Sequence, residues 1–197
     1  MDSPKPTYAE LMQAAQGDSL MRLAFAGVIS QAAAHGQSPL IRALAQEDFQ
    51  RLLDSHFPGL SFANGKPPAD DDRIDELVDL LQLLLDNQAQ LTPENTWLAY
   101  AMASAAMADD HLWQDMGLPN RQTLSELIAR YFPPLRKGNS GDMKWKKFFY
   151  RQLCERANIP ICKSPSCGVC SDFRICFGPE EDSAKPLVNV LPLRAAP

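Results

Sequence analysis

TPENTWLAYAMASAAMA, residues 92–108, decides the class of fold. Thr92-Pro93 supplies a helix N-cap and a proline at the first helical position. From Glu94 to Ala108 the run is rich in alanine and methionine and apolar on almost every side. A helix apolar all round must be surrounded by other elements, so this stretch predicts the central, most buried helix of a bundle. Its most apolar part, WLAYAMASAAMA, is too short and too alanine-rich to span a membrane, which takes about 20 apolar residues.

The flanking sequence supplies the surrounding helices. Thr7 and Glu10 form a capping box for a short helix that Gly17 should end. A second helix is expected from about Ser19 to His35, stopped at Gly36, with His35 at the end where a cation opposes the dipole. Ser38-Pro39 reads as the start of a third, which later places Phe49, Leu52, Leu53 and His56 on one face and halts at Phe57-Pro58-Gly59. His56 is expected at the rim of that face. SFANGKPPADDD (61–72) reads as a loop. The next helix should bury Ile74, Leu77, Val78, Leu81 and Leu85, with Asp70 to Asp72 at its positive dipole end.

Beyond the central helix a short one is expected around Asp110 to Met116. Another, from Arg121 to Phe132, carries Leu124, Leu127, Ile128 and Tyr131 and is stopped by Pro133-Pro134. The last begins near Asp142, with Trp145, Phe148, Phe149 and Leu153 inward and Lys144, Lys147 and Arg151 on the wet side. No internal repeat and no sustained alternating pattern appears. The expectation is an all-α protein: a helical domain over 1–157, an irregular cysteine-rich metal-binding loop over 158–178, and a flexible tail over 179–197.

Composition narrows the function. With 197 residues, 45% of them hydrophobic, the chain can bury one sizeable core. A net charge of −5 disfavours wholesale nucleic-acid binding. The N-terminus shows no basic region followed by an apolar stretch, so a cytoplasmic setting with reduced thiols is expected and no membrane partner. Charge is uneven: between Arg130 and Arg156 eight basic residues face only Asp142 and Glu155, a net of +6 that leads straight into the thiols. There is no nucleophile–base pair, phosphate-cradling glycine loop or HExxH, so catalysis is not expected.

Four of the five cysteines, Cys162, Cys167, Cys170 and Cys176, lie in CKSPSCGVCSDFRIC with spacing C-x4-C-x2-C-x5-C. An odd total in a reducing compartment fits disulfides poorly and metal ligation well. Structural zinc usually takes two short pairs separated by a dozen or more residues. A compact loop of this kind suits a multi-metal cluster, and its first three cysteines share the spacing of plant-type ferredoxins. Pro165 and Gly168 permit sharp turns, while Ser164, Ser166 and Ser171 could hydrogen-bond the sulfurs. Thiolate chemistry favours an iron–sulfur cluster over zinc and leaves both open.

Three stretches, TWLAYAMASAAMADDHLWQDMGL (96–118), DMKWKKFFYRQLCE (142–155) and CKSPSCGVCSDFRICFG (162–178), resemble the NifQ family of nitrogen-fixation proteins, a likeness covering about residues 92–181. The resemblance implies an iron–sulfur cluster on Cys162, Cys167, Cys170 and Cys176 that takes up molybdenum as a mixed Mo–Fe–S cluster. It implies donation of that metal to synthesis of the nitrogenase iron–molybdenum cofactor. The implied partners are the nitrogenase iron protein and the scaffold on which the cofactor matures. A simple Fe–S electron carrier and a zinc-stabilised interaction module remain as alternatives.

Two further residues are candidates. Cys154, on the last helix, is either a fifth ligand or a half-buried helical thiol. His111, between two helices, is either a molybdenum ligand or a helix-start histidine with a backbone or carboxylate partner. Lys144, Lys146, Lys147 and Arg151 are either a solvated face or a docking surface for an anion. Met102 and Met107 read as core filler.

Overall fold

The computed structural model describes residues 5–67, 73–158 and 173–180. Among them all regular structure is helical: α1 (Tyr8–Ala14), α2 (Ser19–Ala34), α3 (Gln46–His56), α4 (Ile74–Leu85), α5 (Pro93–Ala106), α6 (Leu112–Asp115), α7 (Arg121–Tyr131), α8 (Pro133–Gly138), α9 (Trp145–Arg156) and α10 (Phe173–Phe177). The all-α expectation holds. The loop over 159–172 and the tail beyond Glu180 lie outside the described residues, as do Asp70 to Asp72. No helix among the described residues is long and apolar enough to cross a membrane.

Helix α5 is the centre. Thr92 caps it by accepting from the Asn95 N–H, and Trp97, Leu98, Ala99, Ala101, Met102, Ala103, Ala105 and Ala106 are buried. It touches α2, α3, α4 and α6. Met102 and Met107 are buried core residues. Each fully buried leucine or phenylalanine removed from water contributes about 1.5–3 kcal/mol, so the bundle rests on this shared core.

Helix α2 packs on α5 and, because of Gly27, comes close to the end of α6, and Asp18 caps it by accepting from the Leu20 and Met21 N–H groups. Asp18 also accepts from Tyr131 Oη at 2.6 Å and pairs with Arg130 at 2.8 Å, tying the start of α2 to the end of α7. Burial alone would raise the Asp18 carboxyl. Its hydrogen bonds from Tyr131, Met21 and Leu20 and the charge of Arg130 outweigh that and hold it below its ordinary range.

Several expectations are corrected. Ser38-Pro39 does not open α3, which begins at Gln46 with Ala45 as N-cap. Residues 40–44 are held instead by buried Asn64, whose side chain accepts from the Ile41 N–H and donates to the Ile41 and Leu44 carbonyls. That side chain, about 20 positions downstream, satisfies backbone groups that a helix would have paired locally. On α4 the inward line is Leu77, Leu80, Leu83 and Leu84, while Ile74 and Val78 are 44% and 52% exposed. The helix is leucine-rich on more than one face, and its contacts with α5 and α9 select the face. Pro133-Pro134 ends α7 as expected but also starts α8, taking its first helical positions.

His56 is fully enclosed rather than at a rim. Its ring lies 4.9 Å from Phe25 and 6.5 Å from Trp97, and neither ring nitrogen has a hydrogen-bond partner among the described residues. Burial pushes its pKa down, more than the charges of Glu94 and Asp18 pull it up. A histidine depressed in the fold contributes stability above the ordinary imidazole value of 6.5 and loses it as pH falls below that value. His56→Phe should therefore flatten the acid side of a plot of melting temperature against pH. An unaltered slope would show that other groups set the acid limb.

Candidate metal centre

The cysteine segment follows α9 in the sequence, and α9 is held to the bundle by its aromatic face. Trp145, Phe148 and Phe149 are buried with their rings 5.9–6.4 Å apart, as expected, and Leu153 is half-buried. Trp145 Nε1 donates to Ser125 Oγ of α7 at 3.1 Å. Tyr150 donates to Glu76 of α4, whose carboxylate takes two bonds from Arg73 at 2.8 and 3.0 Å. Burial first, and then the Glu76 contact, pushes the Tyr150 phenol up to about 12.

Lys146 departs from the expected wet face. Its side chain is 17% exposed and pairs with Asp115 of α6, itself 10% exposed, and it donates to the Ala108 carbonyl at 2.6 Å. Arg73 donates to the neighbouring Met107 carbonyl at 2.9 Å. Two cations thus cap the carboxyl end of α5. Burial pushes the Asp115 carboxyl up, and Lys146 offsets only part of that. Arg130, Arg151 and Arg156 pair with Asp18, Glu155 and Asp86. Lys146, Arg130 and Arg156 therefore tie elements of the bundle together, while Lys147 is exposed and Lys144 half-buried.

A rigid turn joins α8 to α9. Buried Asn139 donates to the Met143 carbonyl and accepts from the Met143 N–H, both at 2.8 Å. Arg121, first residue of α7, reaches both Asp142 carboxylate oxygens at 2.7 and 3.1 Å and the Met143 carbonyl at 3.2 Å. The next residue, Lys144, donates its N–H to the Cys176 carbonyl at 2.8 Å. Phe177 sits beside Gly141, and Cys176 and Phe177 pack against the core. Residues 173–177, expected to be loop, form the turn α10.

The structure places the candidates unevenly. Cys176 is a half-buried free thiol on α10, and Cys154 a half-buried free thiol on α9. Cys162, Cys167 and Cys170 lie outside the described residues. Lys144 and Cys154 are ten residues apart on one helix, about 15 Å along its axis, so the docked carbonyl of Cys176 and the thiol of Cys154 belong to opposite ends of α9. His111 precedes α6, with its backbone N–H donating to Gln114 Oε1 at 3.1 Å. Its Nδ1 faces Glu180 Oε1 at 3.8 Å, and Arg121 Nε faces the same oxygen at 3.5 Å.

Sequence reasoning passed over Arg121 and Glu180. The only local signal was an acidic pair, Glu180-Glu181, that begins four residues after the last cysteine. No group of three or more histidine, cysteine or acidic side chains converges for a metal among the described residues.

The NifQ family model matches residues 24–178, a span from inside α2 through α10 that contains all four clustered cysteines. The chain belongs to the NifQ family. It is 39% identical over 155 residues to Protein NifQ of Azotobacter vinelandii, covering 72% of this chain and 80% of that one. It is 39% identical over 149 residues to Protein NifQ of Rhodobacter capsulatus, covering 75% and 82%. Protein NifQ of Klebsiella pneumoniae is 44% identical over 82 residues, 41% of this chain and 48% of that one. No solved structure matches. The NifQ span includes His111, Cys154 and Arg121 and stops two residues before Glu180.

Proposed function

We propose that this chain binds an iron–sulfur cluster through Cys162, Cys167, Cys170 and Cys176, loads molybdenum onto it, and donates that metal to iron–molybdenum cofactor synthesis in nitrogen fixation. The observation that carries the reading is a NifQ match running through the whole cysteine signature to Gly178. The donor set suits the group. Cys176 is free and half-buried on a turn whose backbone is pinned to α9. Soft thiolates prefer iron–sulfur clusters to hard cations. When bound, the cluster supplies bridging sulfides to which molybdenum, the cargo, can attach.

The chain's own contribution is positional. Asn139, Arg121 and the Lys144 N–H hold the carboxyl end of the cysteine segment against the bundle. Lys144 and Lys147 are placed to balance an anionic cluster or to meet an acidic partner. The proposed recipients are the nitrogenase iron protein and the cofactor maturation scaffold, in the cytoplasm. The role is carriage and transfer without substrate turnover.

The test is metal content. Protein purified without oxygen should contain iron, sulfide and molybdenum, and Cys167→Ala or Cys170→Ala should lose most of both metals. The same variants should fail to restore nitrogenase activity on limiting molybdate in a strain lacking the gene. Full metal content in the variants would remove the ligand assignment, and full rescue would remove the function. Iron and sulfide alone would instead indicate an electron carrier, and zinc alone an interaction module.

A further inference from the structure

One side chain bridges the two chain segments that meet at Cys176. Arg121, at the start of α7, donates through Nη1 and Nη2 to both Asp142 carboxylate oxygens at 2.7 and 3.1 Å. Its Nη2 also donates to the Asp142 and Met143 carbonyls at 2.9 and 3.2 Å. Through Nε it faces the Glu180 carboxylate at 3.5 Å. The guanidinium thus touches the chain just before Lys144, whose N–H donates to the Cys176 carbonyl at 2.8 Å, and touches it again four residues after Cys176. Cys176 sits between those two attachments.

Both attachments need the cation. Asp142 has φ +57, a left-handed conformation that residues with a side chain rarely adopt, and the Arg121 bonds help hold it there. Glu180 is 7% exposed, and its Oε2 has no hydrogen-bond partner among the described residues. His111 Nδ1, at 3.8 Å, is too distant to hydrogen-bond. A carboxylate this enclosed stays inside only while a positive charge faces it. Loss of Arg121 would drive it towards water and draw the end of α10 with it. Between the attachments, the Phe177 ring lies 3.4 Å from where Gly141 would carry a Cβ, which closes the seat.

We propose that Arg121 is the positioning residue for Cys176: clamping Asp142 and Met143 on one side and Glu180 on the other, it holds that thiolate in register for the cluster and sets how firmly the cluster is kept. The inference deepens the reading of Cys176 as a ligand and rests on it. Every bond of the clamp joins protein to protein, so it acts on the metal-free chain as well as on the loaded one. Lysine cannot replace the arginine. A planar fork reaches the turn with two nitrogens while presenting a third to Glu180, whereas an ammonium is a single point.

The test uses the full chain in wild type, Arg121→Gln, Arg121→Lys, Gly36→Ala and Cys176→Ala. In the metal-free protein, hydrogen exchange at the Lys144 amide should be about tenfold faster in both Arg121 variants, with helical circular dichroism kept. The Phe132 amide at the far end of α7, bonded to the Ile128 carbonyl at 2.8 Å, should exchange as in wild type. After reconstitution with iron and sulfide without oxygen, a ferrous chelator should strip iron about tenfold faster from both variants, the scale expected when support for a metal ligand is removed. Gly36→Ala, a loss of stability remote from the clamp, should release iron at the wild-type rate. Wild-type exchange at Lys144, wild-type iron release in Arg121→Gln, or equal acceleration by Gly36→Ala would each overturn the proposal. Rescue by Arg121→Lys would overturn it as well, by leaving charge alone as the requirement. Full iron in Cys176→Ala would instead defeat the ligand reading, even with the effect of Arg121 on Lys144 exchange intact.

Discussion

Gly27→Ala is expected to cost about 3 kcal/mol or more of folding stability, read as a lower urea midpoint at unchanged slope. Helix propensity argues the opposite way, since alanine in a helix interior gains about 1 kcal/mol over glycine. Tertiary contact decides the sign. A Cβ at Gly27 would stand 2.0 Å from the Met116 carbonyl oxygen and 3.1 Å from the Gly117 carbonyl carbon. These are backbone atoms, so no side chain can rotate away. Gly117 faces the same contact from the other side, with φ +62 and 2.7 Å from its added Cβ to Gly27 Cα. Gly36 serves as the control: its φ is +66, yet nothing lies within 4 Å of an added Cβ. Gly36→Ala should cost only the left-handed backbone strain, about 1–2 kcal/mol. If Gly27→Ala were neutral or stabilising, α2 would not lie this close to the end of α6.

The second large effect is at Asp115 and Lys146. Removing one partner of an enclosed ion pair strands the other, so Asp115→Ala should cost about 3–5 kcal/mol. Lys146→Met should cost less, because the stranded group is then a carboxyl that burial already pushes up and that can take a proton. With its folded pKa above the unfolded one, that carboxyl favours the fold at low pH and loses the benefit as pH rises through the folded value. The penalty of Lys146→Met should accordingly shrink as pH falls, whereas that of Asp115→Ala should not. Replacing both, as Asp115→Leu with Lys146→Met, should return stability to within about 1 kcal/mol of wild type or above it. Simple addition of the two single penalties in a double-mutant cycle would mean that the pair is not coupled.

This pair has a functional edge as well. It ties α6, which follows His111, to α9, which leads into the cysteines. Loosening it should loosen the site before it unfolds the protein, since the bond joins elements without forming the core.

Local chemistry was enough to lay out most of the long helices and the thiol spacing. Thr7 with Glu10, Thr92 with Pro93, and the inward set Leu124, Leu127, Ile128 and Tyr131 each act within a few residues, so their signals survive in one dimension. The C-x4-C-x2-C-x5-C run is equally local, and with the basic aromatic helix before it carried the family likeness. Chain folding alone decided the rest. Asn64 overrode the Ser38-Pro39 start signal from a distant loop, and packing against α5 and α9 chose which leucines of α4 turned inward. Lys146 became a structural cation because Asp115, 31 residues earlier, came to meet it. Glu180 met His111 and Arg121 across about twice that distance in the chain. Periodicity reports what a residue's neighbours along the chain allow; charge pairing and burial depend on which distant groups arrive, and only the folded backbone brings them together.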